Sequence, residues 1–460
     1  MSPPTDAQNA GLGSDLWITG LAAQYPPYLI GPEKLEKLAA RFHDVESPGL
    51  RKVLGINRKT GIETRSSVQT FDDGFCAQKL PPSITEIDNF FRKAAVDLTA
   101  QACEKALKEW GGSKDDITHT IGVTCTNQGN PGYDLLVNRQ LSLRSDVDRM
   151  LLHGVGCAGG LAIMRAAAQI ASGATARGEP ARILCFACEL CSSNVRSELE
   201  AAEKSNPADV CVAAALFSDG AAAFVLCNTL GLNEETQPLF QLTNWGSALI
   251  PNTIDEMGFY AVQSGFRTIL TKHVTTHTAA AVKPMFSKLL PSYAKSNSKT
   301  LTTEDFDWAL HPGGRAIIDG VQYMMDLTEH QLRASRDIYR TRGNSSSPTV
   351  LIVLDKLRTM GRGSDHVVAT AFGPGLTIEM ALLKRCRDGP NTQRHELEIT
   401  ALEAESEQAE LEFERRDSGN EDEVEMRNVS VKRKADDIAL AMDCETKRMK
   451  LGSALLTKVA

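Results

Sequence analysis

Apolar positions along this chain recur in two periods, one typical of buried strands and the other of helices that bury a single face. Short, almost continuous apolar runs predict strands at 16–22, 117–125, 181–189, 238–245, 306–310, 366–372 and 376–383. Apolar residues three and four apart predict helices at 32–42, 83–110, 151–176, 274–294 and 348–360, with a turn opening the third. Strands and helices that alternate in this way indicate an α/β fold built in layers.

Two regions have less regular patterns. Residues 50–65 are rich in basic side chains and are predicted to form a loop. Residues 210–226 are predicted to form a pair of strands that turn at Ser218-Asp219-Gly220, because these residue types favour tight turns. The long helix at 83–110 has clearer ends: Ser83 or Thr85 can cap its start, and the glycines at 111–112 can end it.

The composition is that of a large globular protein. Of its 460 residues 42% are hydrophobic, enough for one two-lobed fold or a few ordinary domains. The net charge of −8 argues against a nucleic-acid-binding protein. The polar N-terminus lacks the apolar stretch of a signal peptide, and no run approaches the ~20 apolar residues of a membrane span. We therefore expect a cytoplasmic protein.

The eleven cysteines are scattered through apolar segments, which indicates reduced thiols rather than a disulfide framework. Cys185, Cys188 and Cys191 are spaced like metal ligands, but they lie in an apolar run of strand length. Positions 185 and 188 of a strand point to opposite faces, and no fourth ligand follows. We predict buried strand thiols and no metal site; a zinc or iron–sulfur site is the alternative.

The composition changes near residue 385. Residues 396–427 are crowded with Glu, Asp and Arg and hold few large apolar side chains, so burial cannot offset their chain entropy. The basic run at 432–434 is either a localisation signal or part of a solvated tail. Helical spacing at Ile438, Leu440 and Met442 allows a short helix there.

Three glycine-rich segments each present one residue suited to acyl-transfer chemistry. The first is Gly-Val-Gly-Cys-Ala-Gly-Gly at 154–160, which carries Cys157 just before a strongly helix-forming run. The positive end of the helix dipole and a nearby histidinium would lower the pKa of this thiol and favour the thiolate. The alternative is a small buried cysteine where a helix crosses a strand.

The other two segments carry His311 and Asn344. His311 follows a predicted strand and precedes Pro-Gly-Gly, at the strand end where ligand crevices of α/β sheets lie. Asn344 follows Gly343, ahead of another predicted helix. The alternatives are a histidine that closes a turn and an asparagine that caps the helix, a role equally open to the serines at 345–347.

A thiolate, an imidazole and a carboxamide together suit a Claisen condensation. The thiolate takes an acyl group from a thioester, and the two donors stabilise the enolate that forms when a malonyl thioester loses CO2. Hydrolysis by a Ser/His/Asp triad fits less well, because the chain has no Gly-x-Ser-x-Gly motif.

Six motifs make the chain resemble the type III polyketide synthases, the chalcone-synthase-like enzymes, and most of all fungal members that make alkylresorcinols, resorcylic acids and alkylpyrones. They are Thr-Gly-Ile-Glu-Thr-Arg (60–65), Gly-Cys-Ala-Gly-Gly (156–160), Leu-Phe-Ser-Asp-Gly-Ala (216–221), His-Pro-Gly-Gly (311–314), Gly-Asn (343–344) and Phe-Gly-Pro-Gly-Leu-Thr (372–377). The resemblance implies a thiolase-like, five-layered αβαβα core of two similar halves, and a homodimer. It also implies free coenzyme A thioesters as substrates, with no cofactor.

The resemblance also divides the chain into regions. It implies a disordered N-terminus at 1–13, an N-terminal half with the nucleophilic cysteine at 14–235, and a C-terminal half with the histidine and asparagine at 236–385. A charged, low-complexity tail at 386–460, disordered or helical, has no counterpart in plant members. Ala371 replaces the first glycine of the usual Gly-Phe-Gly-Pro-Gly loop, which we expect to reshape the cavity floor.

By the same resemblance, Cys157 is the nucleophile that holds the chain, His311 activates it, and Asn344 joins His311 in decarboxylation. The matching substrate-binding positions are Phe217 (a gatekeeper, or else a core aromatic), Thr268 (in place of a second gatekeeper phenylalanine), Cys191, Asn194 and Ser346. Candidates for the coenzyme A phosphates are Arg51, Lys52, Arg58 and Lys59, unless they belong to a solvated basic loop.

The resemblance therefore implies an iterative synthase that extends an acyl-CoA starter with malonyl-CoA. The small Thr268 favours a long fatty acyl starter, and the product is a resorcinol, a resorcylic acid or a pyrone. One rival is a single-condensation ketoacyl synthase, which usually shows His-Gln-Ala-Asn and needs a carrier protein. A thiolase would need a second catalytic cysteine, which 366–383 lacks. A non-catalytic scaffold on the same fold is the rival from another class.

Overall fold

A computed structural model of the chain describes residues 15–387, apart from residues 264, 298–299 and 362. These residues belong to one compact unit, 1–392, and residues 393–460 form a second unit that lies outside the described residues. The expectations for 1–13 and for almost all of the tail at 386–460 therefore fall outside the described residues as well. In the part of the chain that is described, no helix is long and apolar enough to cross a membrane.

Thirteen strands lie within the described residues. In chain order they are β1 (Leu16–Gln24), β2 (Tyr28–Ile30), β3 (Arg65–Ser67), β4 (His119–Val123), β5 (Asp148–Leu152), β6 (Arg182–Leu190), β7 (Asp219–Asn228), β8 (Phe240–Leu249), β9 (Met257–Val262), β10 (Gly265–Leu270), β11 (Phe306–Leu310), β12 (His366–Gly373) and β13 (Thr377–Arg385).

Eleven α-helices connect these strands in the same described ranges. They are α1 (Pro32–Phe42), α2 (Pro48–Asn57), α3 (Ile84–Trp110), α4 (Tyr133–Gln140), α5 (Gly159–Ala176), α6 (Val195–Glu203), α7 (Ala213–Leu216), α8 (Val274–Asn297), α9 (Arg315–Met325), α10 (Arg333–Arg342) and α11 (Thr349–Leu357).

Nine of the strands form one mixed sheet in the order β11-β12-β13-β8-β1-β7-β6-β4-β5. Two runs within it repeat one pattern: β1, β7, β6 and β4 correspond to β8, β13, β12 and β11. In each run the first two pairs are antiparallel and the third is parallel. The runs meet where β1 pairs with β8 through residues 16–18. This repeat confirms the predicted architecture of two similar halves.

The helices complete five layers around the two runs. The helices α5 and α11 precede the corresponding strands β6 and β12, and both contribute to one hydrophobic cluster that includes residues of both runs. The helix α3 packs on the outer side of the N-terminal run, and α8 and α9 pack on the outer side of the C-terminal run. The start of α5 and the segment before α11 are therefore equivalent positions that face each other at the centre.

The predicted ends of the long helix α3 are also present. The Ser83 hydroxyl accepts from the backbone N–H of Glu86, and the Glu86 carboxylate accepts from the backbone N–H of Ser83, which makes a capping box. At the other end Gly111 adopts φ 80°, a left-handed conformation that suits glycine.

The predicted loop at 50–65 is wrong in its first part, because residues 48–57 form α2. A proline at the first turn starts this helix, and Leu50, Val53 and Leu54 bury one face in a small cluster with α6 and α7. Arg51 and Lys52 lie on the exposed face of α2.

The predicted strand pair at 210–226 is also wrong. Residues 213–216 form the short helix α7, and β7 starts at Asp219. The strand β7 pairs with β1 on one edge and with β6 on the other along most of its length. No edge of β7 remains for a hairpin partner, so the segment before it must adopt another structure.

Two of the three clustered cysteines lie in β6 as predicted. Cys185 packs in the central cluster and Cys188 in the outer cluster beneath α3, on opposite faces of the sheet. Cys191 begins a turn of 3-10 helix after the strand instead of continuing it. Within the described residues no group of three or more His, Cys, Asp or Glu side chains is arranged to hold a metal ion.

Candidate active site

The Cys157 thiol lies at the start of α5, in one turn of 3-10 helix that precedes it. Two glycines beside it allow a close approach of neighbouring segments. Gly156 adopts φ +46°, and a Cβ there would lie 2.6 Å from Cδ of Pro374. A Cβ at Gly160 would lie 2.6 Å from the carbonyl oxygen of Ser347. Gly156 therefore allows the loop between β12 and β13 to approach the thiol, and Gly160 allows the segment that precedes α11 to approach the start of α5.

We expect Gly156→Ala to damage this arrangement much more than Gly154→Ala. Both residues have positive φ, where an alanine costs about 1–2 kcal/mol, but a Cβ at Gly154 meets no atom within 4 Å. At Gly156 the clash with Pro374 also displaces the neighbouring thiol, and such a shift can lower turnover by about 10²-fold. Thermal unfolding and product formation measure the two effects; equal turnover in the two variants would contradict the prediction.

The Asn344 side chain is oriented by its own loop. Its Oδ1 accepts from the backbone N–H of Ser346 at 2.8 Å, so its Nδ2 is free to donate. The Ser346 hydroxyl lies 3.2 Å from the Cys157 sulfur, and the Asn344 side chain is near enough to the same thiol to lower its pKa slightly. Asn344 does not cap α11, whose cap position is Pro348, so the alternative of a purely structural cap is wrong.

The imidazole of His311 lies at the end of β11, where its backbone N–H donates to the carbonyl of Thr370 at 2.8 Å. The side chain is buried, and no group in the described residues hydrogen-bonds its Nδ1. A Cβ at Gly313 would lie 3.5 Å from its Nε2, and the Gly313 carbonyl accepts from Nδ2 of Asn344 at 3.5 Å. Asn344 thus contacts the thiol and also the turn that flanks the histidine ring.

Burial controls the charge of both groups. It raises the pKa of the Cys157 thiol to about 12, although the hydrogen bond with Ser346 opposes part of that rise. It lowers the pKa of the His311 imidazole to about 3. The direction of this shift is opposite to the lowered thiol pKa expected from the sequence, because desolvation outweighs the helix dipole. Both shifts favour a thiol and a neutral imidazole, and a neutral imidazole is the form that can accept a proton.

A cavity extends from the thiol, and the space in it and in the solvent at its mouth amounts to about 810 Å³. Six of the predicted residues line it: Cys157, Phe217, Thr268, Cys191, Asn194 and Ser346. Phe217 is held beside the loop that carries Asn344, because the residues on both sides of it exchange backbone hydrogen bonds with Asn344. The remaining wall is largely apolar, and the hairpin β9–β10 supplies one side of it. Ala371 lies in the central hydrophobic cluster instead, so the expectation that it shapes the cavity floor is wrong.

The four candidate residues for coenzyme A phosphates are not among the residues that line the cavity. Arg58 pairs with Glu36 at 2.7 Å, Lys52 donates to the Pro207 carbonyl at 2.5 Å, and Arg51 lies 3.8 Å from a carboxylate oxygen of Glu46. Lys59 is exposed. Their part in binding coenzyme A stays a prediction.

Sequence reasoning missed the carboxyl group of Glu189 beneath the site. It is fully buried and accepts hydrogen bonds from the Ser347 hydroxyl at 2.5 Å, the Thr126 hydroxyl at 2.7 Å and the Cys125 backbone N–H at 3.0 Å. These bonds tie β6 to the loop after β4 and to the segment before α11. A single acidic residue inside the apolar run at 181–189 was the available signal in the sequence.

Two further charged residues in the cavity wall were also missed. Arg65 ends the Thr-Gly-Ile-Glu-Thr-Arg motif, is buried, and donates to the Ala214 carbonyl. A Cβ at Gly343 would lie 3.0 Å from its Cγ, so it packs under the loop that carries Asn344. Glu198 lines the cavity from α6, a helix that the sequence pattern did not predict.

Comparison with known proteins gives a consistent result. The chain matches the family models for chalcone and stilbene synthases, the N-terminal domain over residues 67–229 and the C-terminal domain over residues 241–387. It is 62% identical over 384 residues to the type III polyketide synthase pspB of Penicillium soppii, across 81% of this chain and 96% of that protein. It is 39% identical over 376 residues to the acylalkylpyrone synthase csyB of Aspergillus oryzae, across 80% and 94%.

Solved structures agree with these sequence relatives. The crystal structure of a fungal type III polyketide synthase, ORAS, superposes with a TM-score of 0.78 at 40% identity. The alignment covers 80% of this chain and 99% of that one.

Proposed function

Because the chain belongs to the chalcone and stilbene synthase family and is a type III polyketide synthase, we propose that it loads an acyl-CoA starter on Cys157 and extends it with malonyl-CoA. One observation carries the proposal. The Cys157 thiol lies 3.2 Å from the Ser346 hydroxyl and opens into a largely apolar cavity, and the Asn344 side chain contacts the turn that follows the buried His311 imidazole.

In the loading step, His311 accepts the proton of Cys157 as the sulfur attacks the thioester carbonyl. The bond from the carbonyl carbon to the coenzyme A sulfur then breaks, and the departing thiolate takes the proton back from the imidazolium. The charges of this step exist only during the reaction, which agrees with a resting site in which burial keeps both groups neutral.

In the extension step, the bond to the malonyl carboxylate breaks, CO2 leaves and the electron pair moves onto the thioester oxygen. Asn344 and His311 donate hydrogen bonds to that enolate oxygen. The enolate carbon attacks the acyl group on Cys157, a carbon–carbon bond forms, and the cysteine sulfur departs. Each step is an acyl or proton transfer or a decarboxylation, so the proposed reaction needs no cofactor.

The starter is proposed to be a long fatty acyl chain. The cavity wall is largely apolar, and Thr268 is a small residue in the hairpin that forms one side of it. An alkyl chain that enters such a wall gains stabilisation from each buried methylene. The relative from Aspergillus oryzae is called an acylalkylpyrone synthase, which supports a pyrone among the three proposed ring products.

We expect Thr268→Phe to shorten the accepted starter. A phenyl ring in the cavity removes space for several methylenes, so kcat/KM for lauroyl-CoA should fall at least about tenfold relative to butanoyl-CoA. Thr268→Val is the matched control, because it removes the same hydroxyl group without filling the cavity. An unchanged ratio in Thr268→Phe, measured by product mass spectrometry, would place the starter elsewhere.

The proposed function is tested with labelled malonyl-CoA and a series of acyl-CoA starters. Released CO2 and product masses give the number of extensions, and the ring type follows from the product spectra. A single extension would favour a ketoacyl synthase, and no release of CO2 would favour a non-catalytic scaffold.

A homodimer is also proposed. The strand β5 is an edge of the large sheet and exposes Met150, and the adjacent helix α4 exposes Leu135. Exposed apolar side chains at a sheet edge are typical of a surface that another chain covers. Light scattering of the purified protein measures its oligomeric state.

A cytoplasmic location is also proposed, because all ten cysteines of the described residues are free thiols.

A further inference from the structure

The cavity wall contains a carboxyl group for which the acyl-transfer chemistry has no use. Glu198 projects from α6, is 7% exposed, and is the one carboxyl group among the described residues that line the cavity. Burying a carboxyl in a largely apolar wall is costly unless the group has polar partners. Its contacts therefore indicate what it can do.

Its two oxygens have different surroundings. Oε1 accepts from the Thr268 hydroxyl at 2.6 Å and from the Thr268 backbone N–H at 3.2 Å. Oε2 has no hydrogen bond in the described residues, and it is not among the fully buried polar atoms that lack a partner. It therefore keeps accessible surface, in a residue that faces the cavity. One oxygen is satisfied by the protein and the other is available to a bound chain.

Anchoring the hairpin does not by itself account for a carboxyl group here. Asn194 lies four residues before Glu198, and its side-chain oxygen accepts from the backbone N–H of Phe266 at 3.2 Å. Phe266 lies two residues before Thr268 in β10. The neutral amide of Asn194 thus holds β10 by the same kind of hydrogen bond, two residues before Thr268. A carboxyl at 198 adds an O–H group, when protonated, that the hairpin does not use.

The surroundings raise the pKa of this group, so that a large share of the molecules carries its proton near neutral pH and most do below it. Burial raises the pKa of Glu198 to about 7, against the hydrogen bonds from Thr268. The Cys211 thiol is the titratable group whose charge couples to it. On the elements packed against α6, the cations Arg51 and Lys52 of α2 and Arg267 of β10 are exposed to solvent. None of them pairs with the carboxyl.

We propose that Glu198 is a specificity-determining residue that donates a hydrogen bond from its free oxygen to a keto oxygen of the chain in the cavity. The inference rests on the proposed function, because a chain extended by malonyl units carries a keto oxygen on alternate carbons. An alkyl chain at the same depth leaves the carboxyl without a partner. The residue therefore favours a chain with oxygen at one particular depth over a saturated chain of equal length.

The test measures loading rather than extension, so that it does not depend on malonyl-CoA. Intact-protein mass spectrometry follows acylation of Cys157 by thioesters of equal length, either saturated or with a keto group at carbon 3, 5 or 7. We expect wild type to prefer one keto position, and Glu198→Leu to lose about five- to tenfold of that preference. Glu198→Gln keeps an N–H donor and should retain it. Glu200→Gln is the control, since Glu200 pairs with Lys204 at 2.5 Å on the surface of the same helix.

A pH series separates this role from a structural one. The preference of wild type should fall as pH rises through about 7, because the carboxylate has no proton to donate, while Glu198→Gln stays constant. Titration of Cys157 and His311 affects all thioesters alike and cancels in the ratio. Hairpin loosening would slow every thioester equally and lower the unfolding temperature of Glu198→Leu.

Two results would overturn the inference: no keto position is preferred by wild type, or the preference is the same in Glu198→Leu. Either can occur while wild type still releases CO2 from malonyl-CoA, and then the proposed function stands. A wild type that loads keto thioesters selectively but never consumes malonyl-CoA would overturn the proposed function and leave the role of Glu198 intact.

Discussion

Cys157→Ala should abolish product formation from acyl-CoA and malonyl-CoA, with a loss of about 10⁴-fold or more. Cys157 is the sulfur that the Asn344 amide and the Ser346 hydroxyl both contact. Without it the starter has no covalent attachment, so the enolate has no positioned acyl group to attack. The acyl-enzyme seen by intact-protein mass spectrometry should disappear, and no elongated product should form.

Cys125 and Cys191 provide matched controls for this variant. Both line the same cavity, and Cys125 lies 3.7 Å from the Ser346 hydroxyl, whereas the Cys157 sulfur lies closer to that hydroxyl, at 3.2 Å. Cys125→Ala and Cys191→Ala should still form the acyl-enzyme. Cys157→Ala should continue slow decarboxylation of malonyl-CoA, because Asn344 and His311 remain. Normal elongation by Cys157→Ala would contradict the proposed role of this thiol and the mechanism built on it.

His311→Ala should lose both halves of the reaction. Removing one donor to the enolate typically costs about 10²–10³-fold in decarboxylation, and loading also loses its proton acceptor. His311→Gln separates the two roles, since an amide donates a hydrogen bond but cannot take the thiol proton. We expect it to recover much of the CO2 release and little of the acyl-enzyme. Release of labelled CO2 and acylation of Cys157 are measured in parallel.

His153 is the control for the histidine series. It lies three residues before Gly156, and its Nδ1 is 3.2 Å from the Thr124 carbonyl oxygen. His153→Gln should leave both half-reactions near wild type. Equal acylation rates in His311→Gln and wild type would show that another group accepts the thiol proton, and the assigned base would then be wrong.

The repeat in the fold explains why these residues meet. The helices α5 and α11 precede corresponding strands of the two halves, and both lie in the central layer. Cys157 lies just before the first of them, and Asn344 lies in the segment that leads into the second. The turn after β11 contacts the Asn344 side chain through the Gly313 carbonyl, two residues after His311. Two local features that are 187 positions apart in the chain become neighbours because the halves face each other.

Most of the strands and long helices could be predicted from the sequence, because the pattern there is strong and local. The helix α1 spans the predicted 32–42, and α3 has the predicted capping box and terminal glycine. Elements with a weak pattern of apolar residues could not be predicted. The helices α4, α6, α9 and α10 were not predicted, and neither were β5 and the hairpin β9–β10. The two strands of the hairpin pair with each other through six residues each and lie outside the large sheet. Their pattern of apolar and polar residues therefore depends on the cavity that the hairpin covers.

The candidate site divides in the same way. Cys157 and Phe217 were predicted from motifs and Thr268 from the family resemblance, and all three line the cavity. Glu189 and Glu198 were not, because an acidic residue in an apolar strand or in a short helix has no local pattern that marks it as buried. Their roles depend on partners such as Ser347 and Thr268, which lie 158 and 70 residues away in the chain.

The sequence by itself determined the layered α/β fold, the family motifs and the identity of the three reactive groups, since each depends on residues that are close together in the chain. Only the tertiary structure decided the direction in which burial shifts the pKa values of Cys157 and His311, and that the Glu198 carboxyl lines the cavity. The reason is that desolvation depends on everything packed around a group. At Cys157 it raises the pKa that the helix terminus alone would lower, and at Glu198 it raises the pKa of the carboxyl to about 7.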